Sequence, residues 1–89
     1  MTKEAYDRAK LLFVRIDAYT SKLTDIAMMI HDCSDTAYEG DCVNVQIYNG
    51  KGKAHSAYID KLLVKNMLIG AREHYKSLIE ICTSELEEL

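Results

Sequence analysis

Apolar and small residues recur through the N-terminal part of the chain at alternating spacings of four and three. They are Ala5, Ala9, Leu12, Ile16, Tyr19, Leu23, Ile26, Ile30 and Cys33. That is the a/d spacing of a helix that buries one narrow seam against another helix. A second string with the same spacing lies near the C-terminus: Val64, Leu68, Ala71, Tyr75, Leu78, Cys82 and Leu89, with Glu85 as the one polar interruption. Ile16 and Leu68 sit mid-string and are predicted core positions. Two long helices facing each other across a short non-helical middle satisfy both strings.

The first helix is predicted over about residues 2–35. Thr2 stands where a cap is needed, Glu4 and Asp7 suit the positive helix end, and neither Gly nor Pro occurs before Gly40. Gly40 is expected to take a left-handed conformation where the chain leaves the helix. At 1.5 Å per residue such a helix spans roughly 45–50 Å.

The middle predicts a β-hairpin over about residues 42–57. Val43, Val45 and Ile47 alternate with Asn44, Gln46 and Tyr48, a two-residue period, and Asn49-Gly50-Lys51-Gly52 supplies the turn. The turn is compatible with a loop of two or four residues. The return strand, about Lys53 to Ala57, is poor in β-formers and is expected to be short. Ser56 is the expected N-cap of the second helix, placed at about 57–88.

On that second helix the apolar positions cover an arc of about 200°. Ile59, Leu63, Met67, Leu78 and Ile81 lie toward one side; Val64, Leu68, Tyr75, Ile79, Cys82 and Leu86 lie toward the other. Leu62 and Ile69 fall outside the arc, and Gly70 interrupts the helix, either for a close backbone approach or by simple tolerance. A two-helix hairpin buries about half that arc per helix. Leu11, Phe13, Val14, Met28 and Met29 are also apolar and off the first seam. A two-stranded sheet is too small to cover helices of this length. The expected fold is therefore mainly α, of α+β composition. It is a single domain over 1–89, with long helix, short β-hairpin and long helix packed as an antiparallel helical hairpin in a homo-oligomer.

Charge is distributed unevenly beneath a net −3. Residues 1–50 carry five basic and eight acidic side chains, residues 51–76 six basic and two acidic, and residues 77–89 four acidic and none basic. Lys61, Lys65, Arg72 and Lys76 share one face of the second helix. Lys51, Lys53 and His55 come from the hairpin, with Tyr48 and Tyr58 beside them in sequence. Cations hold phosphates and tyrosines stack on bases, so these nine residues are the candidate ligand site for an anionic, nucleotide-like molecule. The competing explanation for each is a solvated helix face or a lysine-rich turn that protects a sheet edge. Duplex DNA is not expected as a partner, because the net charge is negative and no helix-turn-helix is present.

Neither catalysis nor a metal or cofactor is expected. His31, Asp32, Cys33 and Asp35 are close in sequence, but there is no Cys-x-x-Cys and no His pair at i, i+4. Cys42 and Cys82 could meet His55 or His74, yet no nucleophile turn or oxyanion donor pair accompanies them. Three scattered cysteines suit a reducing cytoplasm, a charged N-terminus predicts no secretory leader, and no stretch approaches the ~18 apolar residues of a membrane span.

The layout of Val43 to Tyr48, the turn Asn49 to Gly52, and Leu62 to Leu89 ending Ser84-Glu85-Leu86-Glu87-Glu88-Leu89 resembles small helix–hairpin–helix proteins of bacteriophages and prophages. The resemblance is architectural and covers the whole chain. It implies a non-enzymatic protein acting in the host cytoplasm. Two activities follow: an oligomeric sponge that sequesters a nucleotide immune signal, or an inhibitor or adaptor that occludes a host protein. The basic and aromatic middle favours the sponge. A purely structural coiled-coil module is the third expectation.

Overall fold

The computed structural model describes residues 2–34 and 40–89. The order is α1 (Lys3–Ser34), β1 (Cys42–Tyr48), β2 (Ala54–Asp60) and α2 (Lys61–Glu87). The helices run antiparallel. Arg8 meets Glu85 at one end, the Tyr19 and Tyr75 rings lie 5.9 Å apart in the middle, and Cys33 lines a cavity with Val64 and Leu68 at the other.

Both spacing strings form the seam, except Leu89, which lies beyond the end of α2 and is exposed. Leu12, Ile26 and Cys33 are buried and the other α1 seam residues, Ile16 among them, half-buried. On α2, Val64 and Cys82 are buried, and Leu68, Ala71, Tyr75 and Leu78 half-buried. Glu85 interrupts this apolar line because Arg8 answers it at 2.5 Å. Lys22 adds a cation over the Tyr75 ring, 5.3 Å from its centre. α1 begins as expected: the Thr2 hydroxyl accepts the Ala5 N–H and the Thr2 carbonyl the Tyr6 N–H. The expected end at Asp35 lies outside the described residues.

Part of the second half of the expected arc on α2 stays open to solvent in the protomer, although Leu78 is half-buried. Leu63, Met67 and Ile81 are exposed, as is Leu62, while Ile69, expected outside the arc, is half-buried. Leu11, Phe13, Val14, Met28 and Met29 on α1 are exposed too. The total surface is 7018 Å², where a folded monomer of 10.1 kDa exposes about 5,300 Å². The radius of gyration is 17.6 Å against about 12 Å for a compact domain of this length.

The hairpin differs from the expectation in three respects. The loop has neither two nor four residues but three. The Asn49 N–H donates to the Lys53 carbonyl (2.8 Å), the Gly52 N–H to the Asn49 carbonyl (3.2 Å), and Gly52 takes φ +79°. This is a type I turn closed by a left-handed glycine, with Asn49 Oδ1 accepting the Lys51 and Lys53 N–H groups. Among the described residues Gly52, not Gly40, is therefore the glycine in left-handed conformation.

The return strand is also longer, Ala54–Asp60, pairing Ala57 with Val45 and Ile59 with Val43. That pairing overrides the weak local preference of the segment. Ile59 consequently belongs to β2, and Ser56 stands opposite Gln46 and caps nothing. The cap of α2 is Asp60, whose Oδ1 accepts the Leu62 N–H at 2.9 Å.

A Cβ built on Gly70 meets nothing within 4 Å, so no close approach within the protomer requires glycine there. Gly70→Ala is expected to stabilise the protein by about 1 kcal/mol through helix propensity alone. A thermal melt monitored by circular dichroism checks this; an unchanged or lowered midpoint contradicts it.

Candidate functional site

The nine candidate residues occupy three separate places. The four cations of α2 span sixteen residues, roughly 22 Å of helix. Lys61, Lys65 and Arg72 are half-buried on the flank of the seam; Lys76 is exposed. Arg72 and Lys76 both lie near Glu73, at 3.4 and 3.8 Å, which offsets part of their charge locally. Lys61 opens the helix, its backbone N–H donating to the Asp41 carbonyl at 2.7 Å.

On the hairpin, directly paired residues share a face. His55 stands opposite Ile47, so it belongs to the face of Val43, Val45, Ala57 and Ile59. Tyr58, 76% exposed, stands opposite Asn44 on the other face, which also carries Tyr48. The Tyr48 hydroxyl donates to Gln46 Oε1 at 3.0 Å. Lys51 and Lys53 flank Gly52 at the exposed tip, separated from the start of α2 by the seven residues of β2, roughly 23 Å.

Three concavities stand out among the described residues. One, about 410 Å³, takes in Lys61 and Lys65, together with Asp41, Asp60, Cys33 and Leu62, so its two ammonium groups share the space with two carboxylates. A second, about 440 Å³, is an open groove along the end of α2 lined by Ser77, Glu80, Ile81, Ser84, Glu85 and Glu88. Neither holds Arg72, Lys76 or any of the five hairpin candidates. Within one protomer, then, the structure brings Lys61 and Lys65 together and keeps them apart from Tyr48 and the lysine-rich turn at the far end of the hairpin.

The third concavity was not among the candidates. It measures about 510 Å³ and lies where the hairpin meets the helix pair. Met29 and Cys33 come from α1, Val43 and Val45 from β1, and Val64, Met67 and Leu68 from α2; Asp32, Asn44 and Gln46 complete its lining. Its lining is mainly apolar, and Met29 and Met67 contribute flexible thioether side chains to it. The signal was present in sequence as apolar residues off the seam, but three elements had to be assembled to show that they converge.

The chemically reactive side chains are dispersed. His31, His55 and His74 lie on α1, β2 and α2 respectively. Cys33 and Cys82 are buried in the seam, whereas Cys42 is exposed at the start of β1. Among the described residues no group of three His, Cys, Asp or Glu side chains is arranged to hold a metal ion. No helix among them is long and apolar enough to cross a membrane.

Comparison with protein-family models, with curated proteins and with solved structures gives no match. The functional conclusion therefore rests on the geometry above.

Proposed function

We propose that this chain is a non-enzymatic binding protein that works by protein–protein association, first of all with copies of itself. The observation that carries the proposal is the surface. The protomer exposes about 1,700 Å² more than a compact monomer of its mass. The excess is matched by large apolar side chains such as Phe13, Val14, Met28, Leu63, Met67 and Ile81, each at least half exposed. Exposed apolar area on this scale is the mark of an association surface. Stable homodimers bury about 1,000 Å² or more per subunit, so the excess is sufficient for one such interface.

Light scattering on a dilute sample tests this. The expected mass is a multiple of 10.1 kDa. A cooperatively folded 10.1 kDa monomer at micromolar concentration overturns the proposal.

A second function remains attached to the basic stripe. Three of its four cations are half-buried on one flank of α2, and association would bring two or more copies of that flank together. The ligand class is a phosphorylated small molecule, as expected of a nucleotide sponge. A thermal-shift screen with cyclic dinucleotides, cyclic oligonucleotides and ADP-ribose derivatives tests it. A ligand at 100 times its dissociation constant adds about 2.7 kcal/mol. The same ligand should lose roughly tenfold or more in affinity for Arg72→Ala, because a guanidinium holds a phosphate bidentately. Absence of a shift across the screen leaves association as the sole function proposed.

A further inference from the structure

The sheet has two strands, so the outer edge of β1 has no strand beside it. In an antiparallel pair, residues bonded to the partner strand alternate with residues whose N–H and C=O face away. The Asn49 N–H bonds to Lys53 and the Lys61 N–H to Asp41, one at each end of the ladder. Those two pairs fix the alternation: Val43, Val45 and Ile47 exchange bonds with β2, and the amides of Asn44, Gln46 and Tyr48 point outward. Among the described residues none of these outward amides has a further hydrogen-bond partner.

Edge strands in monomeric proteins are blunted by charge, proline or a bulge. β1 reads Cys-Val-Asn-Val-Gln-Ile-Tyr, seven residues with no charge, no proline and no glycine, paired in unbroken register. The hairpin is also short of support. A two-stranded sheet is marginal unless further strands or a helix cover it, and here only Val43, Val45 and Ile59 are drawn even partly out of solvent. Ile47, on the same apolar face, is 70% exposed.

We propose that two copies of the chain pair edge to edge through β1, antiparallel about a two-fold axis, to form a four-stranded sheet of order β2-β1-β1-β2. This rests on the self-association proposed above and assigns it a surface. The direction follows from charge. Asp41 precedes β1 at one end, and the Lys51 and Lys53 turn follows it at the other. Antiparallel pairing sets each aspartate beside the partner's lysine turn, whereas parallel pairing sets like beside like. It also sets the two apolar sheet faces, Val43, Val45 and Ile47 of each copy, side by side.

The full chain tests this in two measurements. The first is amide exchange of the native protein: the Asn44 and Gln46 amides should be protected by at least about 100-fold, comparably to the inward-facing Val45 amide. The second is sedimentation of Gln46→Pro. Proline at an outward-facing strand position keeps the protomer's own ladder but removes an intermolecular donor and obstructs the edge. The symmetry makes the substitution count twice, so association should weaken by roughly 100-fold with helix content retained. Should that variant fail to fold, Gln46→Lys serves the same measurement, because it places a charge on the edge without altering the backbone. A native protein that is monomeric overturns both the pairing and the self-association. Freely exchanging Asn44 and Gln46 amides in a native oligomer, or a folded edge variant that associates normally, overturn the edge pairing alone and leave the helix faces as the interface.

Discussion

Leu12→Ala is expected to destabilise the protein by about 2–5 kcal/mol, the range for emptying a buried leucine site. Among the described residues Leu12 is the one large side chain with no exposed surface. The buried apolar set there is small, comprising Leu12, Ile26, Cys33, Val64 and Cys82, so no second core layer compensates for the cavity. The antiparallel alignment set by Arg8–Glu85 and Tyr19–Tyr75 brings Leu12 level with Cys82. Neither neighbouring helix has the freedom to collapse into the gap, because the same seam holds both. At about 4–8 °C per kcal/mol for a domain this small, the thermal midpoint should fall by about 8 °C or more. A circular dichroism melt decides it; a midpoint that stays put would place the true core elsewhere. Ile16 and Leu68, half-buried on the same seam, should lose less on truncation, since part of each already lies against solvent.

Val45→Pro is the second large effect, and it should be confined to the hairpin. Val45 faces β2 opposite Ala57, so proline there removes a ladder donor and leaves a carbonyl of β2 without its partner, a cost of about 1–3 kcal/mol before any ring clash. An isolated hairpin has no such reserve. The helices have their own seam, so the helical signal should persist while amide protection across residues 43–59 is lost. Concerted unfolding of α1 and α2 in this variant would show that hairpin and helices form one cooperative unit, contrary to the expectation.

The helices were legible from the sequence because the seam repeats. Every seventh residue restates the same instruction on both α1 and α2, and a single polar exception cannot mask it. The cap at Thr2 and the strand from Val43 to Tyr48 were equally local, each written in a few adjacent residues. What was not legible depended on pairing across the chain. Ser56 and Asp60 are equivalent as caps by local chemistry; the choice falls to Asp60 because Ala57 and Ile59 have partners in Val45 and Val43. The alternation of His55, Ala57 and Ile59 carried that information weakly, in residues of low strand preference. The turn was ambiguous for a similar reason, since its length is set by where the register closes and by which glycine turns left-handed.

The candidate site was legible as composition but not as a place. Nine cationic and aromatic residues cluster in sequence between Tyr48 and Lys76, but a hairpin of seven-residue strands separates its tip from the helix that follows. Sequence proximity therefore became spatial dispersal. The apolar cavity went the other way. Met29, Val43 and Met67 are far apart along the chain and meet only once the helix pair has closed and the hairpin has been set against it.

The Arg8–Glu85 contact has a consequence for alignment. A seam that repeats every seven residues matches its partner nearly as well after the helices slide by one repeat, about 10 Å along the axis. Apolar and small side chains dominate both lines, so packing alone discriminates poorly between such offsets. Glu85 is the one acidic residue on the C-terminal line, and only one offset sets Arg8 against it. With both side chains about 40% exposed the pair adds little to stability. Its value is that of an index mark on a graduated scale: it identifies a single position among several that would otherwise read alike.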